Sequence, residues 1–225
     1  VSIVANVSHD LKTPLTVIKS YSEMIKDITG DDKEMRDKNL DIIISESDRL
    51  TEMVNSILDV SKLEMQMDEL EKEEMSLRDL TKNIISRLDV LKTKQKFEFS
   101  IEGDSGGWIY ADPAMINQVL YNFASNAVSF VGKDKKIIFK IEEDEENITY
   151  SVIDHGRGIP EKDREKIWER YYTDRKNHIR NVVGTGLGLH IVRVILSKHG
   201  FIYGVDSEID KGSRFYFIAP KIKKD

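Results

Sequence analysis

Apolar side chains recur every 3.5 positions at the start of the sequence, and this repeat constrains the fold more than any other feature. The two apolar series are Val4, Leu11, Ile18, Ile25 and Val7, Pro14, Tyr21, Ile28. Such a period is typical of the buried seam of a coiled coil or helical bundle. A second helical pattern follows a break at 29–33 and runs from Leu40 to Met65. The sequence therefore predicts a helical hairpin, bent at Pro14 because proline lacks a backbone N–H.

A lone hairpin of this length buries too little apolar surface to be stable. We therefore expect a homodimer, in which two hairpins pair into a four-helix bundle. The charged, aperiodic stretch 68–75 is interpreted as a linker, so the predicted domains are 1–67 and 76–225.

The second domain mixes two periodicities. Helical periodicity occurs at 76–92, 112–131 and 188–198, and strand-like alternation occurs at 97–101, 137–141, 148–153 and 215–218. The acidic stretch 142–146 between two strands predicts a β-hairpin. Helices combined with mainly antiparallel strands predict an α+β two-layer sandwich. The whole chain is therefore expected to be multidomain, with an all-α hairpin followed by this α+β domain.

Composition excludes several classes of function. The chain of 225 residues has no cysteine, which removes disulfides, thiolate metal sites and cysteine nucleophiles. Acidic residues outnumber basic ones, 40 to 34, and the cations do not gather into one patch, so nucleic acid is not an expected partner. No apolar run approaches the ~18 residues of a membrane span.

One candidate nucleophile lies on the first helix. If Val4 and Leu11 occupy heptad position a, His9 occupies position f, furthest from the seam. Thr13 follows one helical turn later on the same face. Asp10 can hold the imidazole Nδ1–H and leave Nε2 as a nucleophile, although adjacent helical residues do not normally face each other. The pattern alone is equally compatible with an ordinary surface histidine.

Three motifs in the second domain point to a nucleotide. Asn122 and Asn126 share a helix face beside apolar residues, and amide oxygens suit Mg²⁺. Asp154 follows a predicted strand and precedes a glycine-rich turn, where its carboxylate can accept a hydrogen bond from an adenine amine. The glycines at 184, 186 and 188 open a helix whose amides can bind an anion. Each motif by itself is a weak signal.

In this order, the motifs resemble those of sensor histidine kinases of two-component systems. The corresponding segments are 8–14, 122–126, 154–158, the aromatic stretch 168–172, and 184–188. The resemblance extends over nearly the whole chain. It implies a dimerisation and phosphoacceptor hairpin, followed by an ATP-binding domain with the fold shared by gyrase and MutL.

The resemblance also implies a role for each matched residue. His9 is the phosphoacceptor, Asp10 its acid/base partner, and Thr13 a phosphatase residue. Asn126, with Asn122 beside it, is the implied Mg²⁺ ligand, and Asp154 meets the adenine amine. The remaining implied nucleotide-binding residues are Gly156, Gly158, Ile159, Tyr171, Arg175, Lys176, Gly184, Thr185, Gly186, Leu187 and Gly188. The segment 174–183 is implied to be a lid over the nucleotide.

The implied reaction is ATP-dependent autophosphorylation of His9 and relay of the phosphoryl group to an aspartate of a response regulator. Because the chain starts at Val1 rather than at methionine, we interpret it as a fragment. The resemblance implies that this fragment is the cytoplasmic part of a sensor that is membrane-anchored upstream. The sequence departs from the family at Ser129, where relatives usually carry a Lys or Arg. We expect one of two consequences. Either Lys133, Arg175 or Lys176 supplies the cation that helps to bind phosphate, or the affinity for nucleotide is lower than in those relatives.

Two alternatives stay open at this level. Gyrase- or MutL-like ATPases use a Glu at the position of Asn122, and an amide cannot deprotonate water, so ATP hydrolysis is disfavoured. A non-catalytic scaffold that only binds nucleotide is favoured by Ser129, whereas the glycines and both asparagines weigh against it.

Overall fold

The computed structural model describes residues 3–65, 70–95, 97–170, 172 and 186–222. Within these ranges the side chains of 3–10, 52, 56, 59–65 and 89–95 lie outside the description. The chain divides into two units, the first ending at Lys62 and the second beginning at Leu63. No helix among the described residues combines the length and the apolar character needed to cross a bilayer.

The first unit consists of two helices joined by a short turn. Helix α1 covers Ile3–Met24 with Pro14 inside it, continues into a π-helical turn at Ile25–Thr29, and is followed by helix α2 at Lys33–Met65. The predicted break at 29–33 is confirmed. Polar side chains fix it: the Asn39 amide donates to Thr29 Oγ1 at 3.0 Å, and the backbone N–H of Met35 donates to the Asp32 carboxylate at 3.0 Å.

Much apolar surface in this unit is open to solvent. Pro14 is buried, whereas Ile28 at the end of the second series is 78% exposed. A π-turn holds more residues than an α-turn, so it shifts the phase of the seam at this point. The other exposed large apolar side chains of the two helices are Leu15, Met24, Met35, Leu40, Ile44, Val54 and Leu58.

The second unit is built on a five-stranded sheet. Its elements are β1 (Glu73–Ser76), α3 (Leu77–Gln95), β2 (Glu98–Glu102), β3 (Trp108–Ala111), α4 (Pro113–Phe130), β4 (Lys136–Glu143), β5 (Asn147–Asp154), α5 (Gly188–His199), β6 (Ile202–Glu208) and β7 (Gly212–Pro220). Short 3₁₀ turns lie at Glu161–Asp163 and Lys166–Trp168. The sheet order is β2-β4-β5-β7-β6, and only the β2–β4 pair is parallel. The expected α+β fold and the β4–β5 hairpin are confirmed.

The core lies between the sheet and its helices. On α4, Phe123 packs against Phe215 of β7 with 5.7 Å between ring centroids. On α3, Thr81 shares a 2.9 Å hydrogen bond with the Tyr150 hydroxyl of β5, and Tyr150 is fully buried. Since Tyr150 and Phe215 point to the same face of the sheet, both helices cover that face.

The structure corrects one prediction in this unit and adds three strands. The predicted linker 68–75 is wrong at its C-terminal end, because Glu73–Ser76 forms β1, which pairs with β3. Strands β1, β3 and β6 were not predicted: the first two have only four residues each, and Gly204 interrupts the alternation of the third. The strand predicted at 215–218 is confirmed as part of β7, which lies between β5 and β6 in the sheet.

Candidate functional site

A buried carboxylate lies at the end of β5. Asp154 is 3% exposed, and its Oδ1 accepts a hydrogen bond from the backbone N–H of Gly156 at 2.8 Å. Burial raises the pKa of this carboxyl to about 6, opposed by the Gly156 hydrogen bond and the nearby charge of His155. At neutral pH the group is therefore mainly ionised, and it is a strong acceptor for a donor that enters from outside.

The glycine-rich turn after Asp154 fits tightly between neighbouring backbones. A Cβ on Gly156 would lie 1.9 Å from the carbonyl oxygen of Phe130, the last residue of α4. Gly158 has φ of +71°, and a Cβ there would lie 2.0 Å from the carbonyl oxygen of Glu208. No other residue fits these positions without moving the backbone. The turn is thus held against the C-terminal end of α4 on one side and against the β6–β7 connection on the other.

Ile159 completes this turn. Its backbone N–H donates to Ser207 Oγ at 2.8 Å, and the same hydroxyl donates to the Gly212 carbonyl at 2.8 Å. Ser207, near the end of β6, therefore fixes the backbone of Ile159, and the backbone in turn sets the position of the Ile159 side chain.

Helix α4 carries the two asparagines. It begins after Asp112, whose side chain caps it by accepting from the Met115 N–H at 3.1 Å, with Pro113 in the first turn. Asn126 is half-buried. The Nδ2 of Asn122 is buried, and no described residue hydrogen-bonds to it. Because an unpaired buried amide is costly, Asn122 is suited to contact a ligand or its bound water.

The N-terminus of α5 meets the asparagine face of α4. A Cβ on Gly188 would lie 3.2 Å from Asn122 Oδ1, so glycine permits this approach. Gly186 has φ of +67°. Leu187 occupies the N-cap position, and its apolar side chain cannot cap the helix. The first-turn amides and the helix dipole therefore favour an anion at this end of α5.

These contacts bring three of the four predicted motifs into one region of the second unit: the turn after Asp154, the asparagine face of α4 and the start of α5. Five of the predicted nucleotide-binding residues, and the proposed lid 174–183, lie outside the described residues: Tyr171, Arg175, Lys176, Gly184 and Thr185. Ser129 and Lys133 are both exposed near the end of α4.

The fourth motif is on α1. The backbone of His9 and Asp10 is helical, their side chains lie outside the description, and Thr13 is exposed one turn later. Its functional roles stay predictions.

Sequence reasoning missed a contact that braces the turn after Asp154. His155 Nδ1 and Asp134 Oδ2 lie 2.6 Å apart, and this hydrogen bond lowers the pKa of Asp134. Arg157 stacks over the Phe130 ring at 5.0 Å from its centroid. Both pairs join the turn to the end of α4 and the loop that follows it. No local spacing could reveal them, because the partners are far apart in sequence.

Family models match both units. The His Kinase A (phospho-acceptor) domain matches residues 2–66, and the histidine kinase-, DNA gyrase B- and HSP90-like ATPase matches residues 111–223. Sensor histidine kinase WalK of Bacillus subtilis is 34% identical over 220 residues, which cover 96% of this chain and 36% of WalK. Sensor histidine kinase YcbM of the same species is 34% identical over 92% of this chain and 67% of its own length.

Solved structures of histidine kinases also superimpose on this chain. Histidine kinase ThkA in complex with response regulator protein TrrA superimposes with a TM-score of 0.79 at 29% identity, over 98% of this chain and 61% of that one. Full-length ShkA in complex with AMPPNP gives a TM-score of 0.67 at 25% identity, over 96% of this chain and 45% of that one.

A phosphoacceptor hairpin followed by an ATPase domain of this fold defines the catalytic cores of protein-histidine kinases. The chain belongs to the sensor histidine kinases, the kinases of two-component signalling. It spans about a third of the length of WalK.

Proposed function

We propose that this chain binds ATP as its Mg²⁺ complex and transfers the γ-phosphoryl group to His9. The observation that carries the proposal is the convergence of a buried carboxylate, an amide-bearing helix face and an uncapped helix N-terminus in one region of the second unit. Together these offer an acceptor for the base, ligands for a hard cation and donors for phosphate.

Asp154 is assigned to bind the adenine base of the nucleotide. Its carboxylate keeps one oxygen on the Gly156 N–H and can accept the exocyclic amine with the other. The tight turn at Gly156 and Gly158 fixes the position of this acceptor before the nucleotide arrives, so little ordering is needed on binding.

The phosphate end is assigned to α4 and α5. The amide oxygens of Asn126 and Asn122 fit Mg²⁺, which would neutralise phosphate charge when bound. The amide N–H groups at the start of α5 donate to phosphate oxygens, and Gly188 lets them approach Asn122 closely.

The transfer itself needs a neutral imidazole. His9 Nε2 attacks the γ-phosphorus while the bond to the β,γ-bridging oxygen breaks and ADP leaves. Asp10 then takes the Nδ1 proton from the cationic phosphoimidazole. Catalysis rests mainly on positioning, because phosphoryl transfer asks little covalent chemistry of the protein.

The chemistry of the product tests this function. After incubation with γ-labelled ATP and Mg²⁺, the protein should carry a label that acid removes and alkali does not. An acid-stable label would contradict the proposal. ATP hydrolysis without any labelled protein would favour a hydrolytic ATPase instead.

The partner is proposed to be the receiver domain of a response regulator, which accepts the phosphoryl group on an aspartate. The ThkA structure contains such a protein, TrrA. The proposal extends to the reverse activity: the chain also dephosphorylates its partner, using Thr13. Its hydroxyl lies one turn after His9 on α1 and can orient the attacking water.

Thr13→Ala is expected to preserve autophosphorylation and to slow dephosphorylation of a receiver domain, labelled by this kinase, at least about tenfold, or about 1.4 kcal/mol of barrier. Thr16→Ala is the matched control, because Thr16 is exposed on the same helix and its hydroxyl donates to the Lys12 carbonyl at 2.8 Å. If both activities decline together in Thr13→Ala, the residue merely supports the helix before Pro14.

We also propose that the first unit dimerises through its apolar seam. The exposed apolar side chains of α1 and α2 support this, since a single hairpin leaves them in water. Leu50 belongs to the apolar pattern of α2 and is half-buried in the hairpin. Leu50→Asp should raise the dimer dissociation constant at least about tenfold, because it places an unpaired charge in this seam. Ser47→Asp, on the exposed side of α2, should leave it unchanged. Light scattering that shows a monomeric parent chain at micromolar concentration would refute the dimer.

A further inference from the structure

A buried histidine on α5 is held by two hydrogen bonds that the proposed reaction does not use. His190 is 9% exposed, its Nε2 lies 2.8 Å from Arg170 Nε, and its Nδ1 lies 3.3 Å from the Trp168 carbonyl oxygen. A guanidinium N–H can only donate and a carbonyl can only accept. His190 is therefore the neutral tautomer with its proton on Nδ1.

The surroundings keep it neutral. Burial lowers the pKa of His190; the hydrogen bond to Trp168 opposes this, and the charges of Arg170 and Arg193 add to the lowering. A protonated imidazole would present two donors, and Nε2 could no longer accept from Arg170.

The position of His190 connects this contact to the candidate site. His190 follows Gly188 by two residues, which places the two about 200° apart around the helix. Gly188 faces Asn122 on α4, and His190 faces the segment Trp168–Arg170. The first turn of α5 is thus held from opposite sides, by α4 and by this segment.

We propose that the Arg170–His190 hydrogen bond is a positioning contact for nucleotide phosphates, which holds the first-turn amides of α5 at the correct distance from Asn122. This inference rests on the proposed function, since it assigns those amides to phosphate. Arg170 and His190 are assigned no contact with substrate and act through the helix that they hold.

The test separates the phosphate end from the adenine end. Binding of AMPPNP with Mg²⁺ and of adenosine is measured by calorimetric titration and competition, using the whole chain. His190→Leu and Arg170→Met should each weaken AMPPNP binding about tenfold, or about 1.4 kcal/mol, and leave adenosine binding unchanged. The double variant should be no weaker than either single variant, because the two residues share one interaction.

Two further variants make the result specific. His190→Gln keeps an acceptor for Arg170 and should restore AMPPNP affinity to within about threefold of the parent chain. Arg193→Met removes a charge that also acts on His190 but donates no described hydrogen bond to it, so it should leave affinity unchanged. Thermal unfolding of each variant identifies chains that have lost their fold.

The outcomes are distinct. Equal weakening of AMPPNP and adenosine by His190→Leu, or failure of His190→Gln to restore binding, would overturn the positioning role. Unchanged AMPPNP affinity in Arg170→Met would do the same, even if His190→Leu fails to fold. A parent chain that binds neither ligand would instead refute the proposed function.

Discussion

Replacing His9 with glutamine should abolish the acid-labile label, by at least about three orders of magnitude. The amide nitrogen of glutamine has no free lone pair with which to attack phosphorus, so no phosphoamidate forms. Nucleotide affinity should not change, because the candidate nucleotide site lies within the second unit whereas His9 lies in the first. The measurements are γ-label incorporation and calorimetric titration with AMPPNP on the same samples.

The other described histidines provide the controls. The ring nitrogens of His199 are engaged by the Ile195 carbonyl at 2.8 Å and the Asp112 N–H at 3.1 Å, and those of His190 by Trp168 and Arg170. Both side chains are buried and have lowered pKa values, so neither is an accessible acceptor. His155 is exposed but braces the turn after Asp154, so the control is His155→Asn, whose amide N–H can still donate to Asp134 and which should retain the label. A His9→Gln chain that still acquires acid-labile phosphate would contradict the assignment.

Asp154→Asn should weaken ATP binding about tenfold to a hundredfold, equivalent to the roughly 1.5–3 kcal/mol of a hydrogen bond to a charged group. Asparagine can still accept a hydrogen bond with its carbonyl oxygen, but it lacks the negative charge. Its NH₂ group would also point towards either the Gly156 N–H or the adenine amine, both of which are donors. Asp10→Asn should leave affinity unchanged and slow phosphoryl transfer. Equal losses of affinity in the two variants would refute this division of roles. An inosine nucleotide carries an acceptor carbonyl where adenine has the exocyclic amine. The parent chain should therefore prefer ATP to the inosine nucleotide, and Asp154→Asn should lose this preference, because its NH₂ can donate to that carbonyl.

The raised pKa of Asp154 gives this prediction a pH dependence. Protonation removes the charged acceptor, so the affinity of the parent chain should fall as the pH drops below about 6, by up to about tenfold per pH unit. Asp154→Asn should lose this slope. Comparing the two chains at each pH cancels the titration of the nucleotide itself. If the affinities of both chains depend on pH with the same slope, Asp154 does not hydrogen-bond to the adenine base.

The raised pKa of Asp154 also determines how this residue affects the stability of the folded chain. The folded-state pKa of Asp154, about 6, lies above its ordinary value of 3.8, so between these pH values the folded state binds more protons than the unfolded state. Stability from this group is therefore present at low pH and lost as the pH rises through about 6. Asp154→Asn has no charge to bury and should not unfold more easily than the parent chain at pH 7. If the unfolding temperature of Asp154→Asn falls strongly, its loss of binding is caused by misfolding rather than by the missing charge.

The sequence alone determined the elements whose signals are local. The 3.5-residue period predicted the first helix, and the helical pattern from Leu40 to Met65 predicted the second. The alternating patterns at 137–141 and 148–153 predicted the β4–β5 hairpin, because periodicity depends only on neighbouring positions. Glycine at 156 and 158 was predicted as a turn for the same reason. The order of the motifs was sufficient to identify the family.

Only the tertiary structure decided which distant groups meet. It buried Asp154 and so raised its pKa, brought Gly188 to Asn122, and paired His190 with Arg170, none of which is encoded in local spacing. It also converted the end of the predicted linker into β1, because four residues without alternation become a strand only when β3 supplies the hydrogen bonds. Local patterns fix which backbone conformations are favourable, whereas desolvation, close approach and hydrogen-bond partners depend on the packing of the whole unit.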